Sequence, residues 1–73
     1  MSTETTLVKL NKSPTELYKI IKFEGLAPSG GEAKLVIANG LVSVNGKVEL
    51  RKRKKIVAGD VIEFDGSILK ISE

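Results

Sequence analysis

The sequence predicts a small α+β domain: a short N-terminal strand, two helices, then a small antiparallel sheet carrying both helices on one face. Before residue 41 lie two short stretches of helical spacing, each with a start signal ahead of it and a glycine behind it. After residue 41 the apolar period drops to two, and strand-like runs alternate with Asn-Gly, Gly-Asp and Asp-Gly pairs. A chain of 73 residues has room for one domain, so a single unit over 1–73 is expected.

Met1 to Glu4 is polar and is expected to be loose. Thr5 to Leu10 alternates weakly through Leu7, Val8 and Leu10 and reads as a short edge strand. Ser13, Pro14 and Glu16 then spell a helix start: a capping serine, a proline at the first helical position, and a glutamate three residues after the serine. Leu17, Ile20, Ile21 and Phe23 supply the apolar face, with Lys19 and Lys22 on other faces. Gly25 stands where a left-handed residue ends a helix, and Leu26 can fold back onto it. The grammar repeats at Pro28, Ser29 and Glu32; Ala33, Val36 and Ile37 form the second apolar face, and Gly40 closes it after Asn39.

Val42 and Val44 then alternate with Ser43 and Asn45. Asn45-Gly46 predicts a tight hairpin, because both central residues accept positive φ. Val48 and Leu50 continue the return strand, and Ile56-Val57-Ala58 returns to the core after a run with no apolar period, which reads as a solvated loop. Gly59-Asp60 turns, Val61, Ile62 and Phe64 form a strand, Asp65-Gly66 turns again, and Ile68, Leu69 and Ile71 form the last strand.

Charge is concentrated. Residues 51–55 read Arg51, Lys52, Arg53, Lys54, Lys55; they carry +5 of a net +3, so the other 68 residues sum to −2. Five consecutive cations on a mildly acidic body point to an anionic partner. Their side chains can contact phosphate and release counterions, and Arg51 and Arg53 can fork onto phosphate or stack on unpaired bases. Lys47, expected beside the basic loop, and Lys34, one turn into helix two, can extend the patch; the plain alternative is an exposed lysine, which for Lys34 weighs about evenly. Ser29, Gly30 and Gly31 offer backbone N–H groups at a helix start, where a phosphate can sit. Glu32 opposes an anion there and no Walker spacing follows, so Gly31 is read as shaping the turn, while Ser29 and Gly30 stay open as contacts.

Asn45 and Gly46 are read as turn residues first, with backbone contact to a partner second. Asp60, Glu63 and Asp65 fit turn and strand positions better than a cation site. Phe23 and Phe64 are expected in or near the core, Tyr18 nearer the surface.

The full series resembles the S4 RNA-binding domain: Leu17, Gly25-Leu26, Ser29, Ala33, Ile37, then Gly40-x-Val42-x-Val44-Asn45-Gly46, then Val57 and Gly59-Asp60-x-Ile62. The segment Arg51 to Gly59 looks like that of small single-domain bacterial proteins of the YbcJ type. The resemblance implies the S4-like (αL) fold and an RNA-binding module whose contact surface is the helix pair and the following hairpin. It also places Ser29 at that surface. Many family members follow the helix-two serine with arginine and open helix one with Arg-Leu-Asp. This chain has Gly30 and Thr15-Glu16-Leu17 there, and its positive charge lies in the loop at 51–55 instead.

The composition narrows the function. With no histidine and no cysteine, an imidazole base, a thiol nucleophile, a zinc finger and a disulfide scaffold are excluded. No cofactor, metal or small-molecule substrate is implied. The expected function is non-catalytic binding of structured RNA, ribosomal RNA for example, by a cytoplasmic monomer. The alternative is a protein–protein adaptor whose basic loop meets an acidic partner. A polybasic loop can also touch anionic lipid, but neither helix pairs a cationic face with a strong apolar one.

Overall fold

A computed structural model describes residues 4–10 and 12–73. The loose start expected at Met1 to Glu4 falls mostly outside them, and Glu4 itself already belongs to a strand. The elements in chain order are β1 (Glu4–Lys9), β2 (Thr15–Glu16), α1 (Leu17–Phe23), α2 (Gly30–Ala38), β3 (Val42–Val44), β4 (Lys47–Val48), β5 (Lys55–Ile56), β6 (Val61–Phe64) and β7 (Ser67–Ser72).

Five strands form one sheet in the order β1-β7-β6-β3-β4, and β2 pairs with β5 in a separate two-stranded ribbon. The sheet is mixed where an antiparallel one was expected, because β1 runs parallel to β7, with Thr6 opposite Leu69 and Val8 opposite Ile71. Parallel pairing needs a long crossover, and here almost the whole chain lies between the two strands. Leu10 N–H closes the ladder by donating to the Ser72 carbonyl at 2.8 Å.

Alternation then sorts the sheet. Val44, Ile62 and Leu69 stand opposite one another across three strands. With Val8, Val42 and Ile71 they face Leu17, Ile20, Ile21, Ala33 and Ile37 from the helices, in one core that also takes Ile56 from β5. Each fully buried Leu or Ile contributes roughly 1.5–3 kcal/mol. Both helices end alike. Leu26 N–H reaches Ile21 O and Gly25 N–H reaches Lys22 O; Leu41 N–H reaches Val36 O and Gly40 N–H reaches Ile37 O. These are Schellman closures around glycines at φ +75° and +77°.

Four expectations are corrected. The box at Ser13 and Glu16 does not cap α1: Thr15 and Glu16 are drawn into the ribbon with Ile56 and Lys55, and the helix starts at Leu17. Phe23 is 69% exposed, because at 3.6 residues per turn it lies roughly 110° from the centre of the Leu17–Ile20–Ile21 face. The return strand of the hairpin is only two residues long, and Val48 and Leu50 are exposed. Their side chains lie over Gly40, close enough that a Cβ there would stand 3.7 and 3.8 Å from them. Of Ile56-Val57-Ala58, only Ile56 enters the core; Val57 and Ala58 face out. Phe64 is partly buried against the core, as expected.

Candidate nucleic-acid interface

The basic run is a turn whose backbone is fixed. Between β4 and β5, Lys54 N–H donates to Arg51 O at 3.2 Å. The turn then presents its carbonyls to the start of α1: Leu17 N–H donates to Lys54 O at 2.9 Å, and Tyr18 N–H donates to Lys52 O at 3.1 Å. The first N–H groups of a helix have no partner within it. Here another segment supplies one, so the run is docked on α1, not the freely solvated loop its composition implied.

The five cations divide by partner. Arg51 is forked onto Glu49, with Nε 3.0 Å from Oε2 and Nη2 3.4 Å from Oε1, while Glu49 also accepts the Arg51 backbone N–H at 3.1 Å. The guanidinium hydrogen bond holds the Glu49 carboxyl below its usual pKa and raises that of Arg51. Lys55 Nζ lies 4.0 Å from Glu16, which also pairs with Lys19 at 3.4 Å. Lys52, Arg53 and Lys54 make no ion pair among the described residues. Lys52 and Arg53 are exposed and Lys54 half-buried.

The candidate residues from the helix pair meet the turn at Tyr18. The Lys34 ammonium sits 4.7 Å from the centre of the Tyr18 ring, a cation–π contact between the helices. Gly30 lies against the same ring: a Cβ there would be 3.9 Å from Tyr18 Cε2 and 4.0 Å from Lys22 Cδ. Both distances are ordinary van der Waals contacts, so a side chain at 30 would start beside Tyr18 and Lys22. Sequence reasoning left Tyr18 and Lys22 out of the site. Their one signal was that both fall off the Leu17–Ile20–Ile21 face; that they meet Lys34 and Gly30 depends on how two helices pack.

Two candidates make neither of these contacts. Ser29 caps α2, its Oγ accepting the Glu32 N–H at 3.2 Å. Lys47 is exposed on β4, where its backbone pairs with Val44, and its side chain makes no hydrogen bond or ion pair among the described residues. The pattern residues Asn45 and Asp60 turn out to be one structural network. Asn45 Nδ2 donates to Asp60 Oδ1 at 3.0 Å, Asn45 Oδ1 accepts the Val61 N–H at 2.9 Å, and Asp60 Oδ2 accepts the Val57 N–H at 3.0 Å. Asn45 thus does more than turn a hairpin: it fastens that hairpin to the segment leading out of the basic turn.

A helix pair closed by two Schellman glycines, followed by a hairpin locked to a Gly-Asp turn, defines a class. The family model described as the S4 domain matches residues 8–72, and the chain belongs to that family. It is 48% identical over 63 residues to YbcJ of Escherichia coli strain K12 and to YbcJ of Shigella flexneri, covering 85% of this chain and 90% of theirs. Its fold is similar to the solution structure of Escherichia coli YbcJ, with TM-score 0.70 and 44% identity over 92% of this chain and 86% of that one. That structure is described as revealing an αL motif involved in RNA binding. The 30S ribosomal protein S4e of Thermoplasma acidophilum is also similar, with TM-score 0.57 and 31% identity over 81% of this chain and 31% of that longer chain.

Proposed function

We propose that this protein is a non-catalytic RNA-binding module that contacts structured RNA with the turn at Arg51–Lys55 and the adjoining helix pair. The observation that carries it is the docked turn: its main chain is spent on α1 at Leu17 and Tyr18, the ring of Tyr18 is covered by Lys34, and Lys52, Arg53 and Lys54 make no ion pair among the described residues. The αL motif described for the similar solution structure supports the same reading. Recognition is by shape and charge, since single-strand platforms need several exposed aromatics on adjacent strands. Ser29 and Lys47 are secondary in this reading, the first engaged as a cap and the second carried on β4 instead of on the turn or the helix pair.

The test is a titration of an RNA hairpin at several salt concentrations. Three to five phosphate contacts give log K against log salt a slope of about −2 to −4.5. A variant with alanine at 52, 53 and 54 should keep its melting temperature and lose most of this binding. A flat salt response in the wild type sinks the proposal. The exposed Val48 and Leu50 just before the turn favour a second reading, an adaptor for an acidic partner that also buries apolar surface. A partner retained in nuclease-treated lysate, with no hairpin binding, would put that reading first.

A further inference from the structure

On the other side of α1 the molecule has a groove of about 580 Å³, within the size range of small-ligand sites. Its floor is apolar, formed by Val8, Leu10 and Ile20, and Phe23 stands on its wall with 69% of its surface exposed. The rim carries Lys9, Lys12, Lys19 and Lys55 against Glu16 and Glu24, a net +2. Glu16 is already engaged by Lys19 and Lys55. Lys55 is also the last residue of the basic run, so the groove continues from the proposed interface.

We infer that this groove is a subsite for one unpaired nucleotide of the bound RNA strand, with its base stacked on Phe23 and its phosphate held by Lys9 and Lys12. A single exposed apolar residue needs no explanation. This one is an aromatic ring in a concave, cation-rimmed site, and a nucleotide uses both features. A nucleotide brings a phosphate and a flat aromatic base in one unit, whereas an acidic peptide needs a separate apolar side chain to cover the ring. Glu24, beside Phe23 in the chain, keeps the phosphate at the opposite end. The inference extends the RNA-binding reading and rests on it for the strand that enters the groove.

The experiment compares a blunt RNA hairpin with the same hairpin bearing four unpaired adenosines at either end. In the wild type one extension should tighten binding roughly tenfold, the usual scale for a base stacked on an aromatic ring. Phe23→Ala should remove that gain and leave blunt-hairpin binding and the melting temperature unchanged. Phe23→Trp should retain the gain. The natural sequence has no tryptophan, so the fluorescence of Phe23→Trp reports on the groove alone; tetra-adenylate should quench it, and Lys9→Ala with Lys12→Ala should abolish the quench. Hairpin binding with no gain from either extension, or a gain that survives Phe23→Ala, overturns the inference and leaves the proposed function standing. If the blunt hairpin fails to bind while tetra-adenylate quenches, the groove stands and the structured-RNA reading falls. Absence of both overturns both.

Discussion

The two helices of this protein begin in opposite ways. α2 is capped from within: Ser29 accepts the Glu32 N–H three residues on. α1 is capped from afar, by the carbonyls of Lys52 and Lys54, more than thirty residues later in the chain. Yet both starts carry the same letters, serine then glutamate three residues on. A capping box is an offer that the backbone takes up only if nothing better is available. At Thr15-Glu16 the strand-like partner Lys55-Ile56 is available, and Ile56 brings a fully buried side chain with it. Tertiary burial outweighs a local cap, which is worth about 1 kcal/mol.

The largest test of this contrast is Ile56→Ala. Emptying a fully buried isoleucine site costs about 2–5 kcal/mol, out of a total margin of roughly 4–11 kcal/mol for a chain this size. Urea unfolding should show the loss. Hydrogen exchange should show the Leu17 and Tyr18 amides losing protection ahead of the α2 amides. If those two amides stay protected, α1 does not depend on the turn. Ser29→Ala should cost less, about 0.5–2 kcal/mol in the same unfolding assay, and should leave the salt slope of RNA binding unchanged. A large loss of affinity with intact stability would instead make Ser29 a contact residue.

The smallest effect belongs to Glu49. Its folded-state pKa is depressed by Arg51, so its contribution is complete above the pKa of an unfolded glutamate, about 4.3. That contribution disappears as pH falls through the lower folded value. Wild type should therefore lose slightly more stability on acidification than Glu49→Gln does. The same variant frees Arg51, so its RNA salt slope should steepen by about 1. An unchanged slope would mean that Arg51 does not face the RNA.

What the sequence disclosed follows the same division between local and distant. Helix ends at Gly25 and Gly40, the Asn45-Gly46 hairpin and the last two strands were legible because a few neighbouring residues decide each. The S4-like order of motifs was legible for the same reason. The parallel pairing of β1 with β7 was not, since its partner lies near the far end of the chain. Neither was the meeting of Tyr18, Lys34 and Gly30, which lies between helices. Phe23 was misread because helical spacing from Ile20 alone does not say which side of the face a residue falls on. Within the candidate site, the basic run was visible as charge, but not which cations Glu49 and Glu16 already hold.

The basic turn is fastened through main-chain carbonyls, and every amino acid has one. Its shape is therefore nearly independent of the side chains at 52 to 54. Mutation can add, remove or exchange those charges one at a time without asking the fold to adjust. On the RNA-binding reading proposed above, such a position would let evolution, or a protein engineer, tune affinity in graded steps at little cost in foldedness.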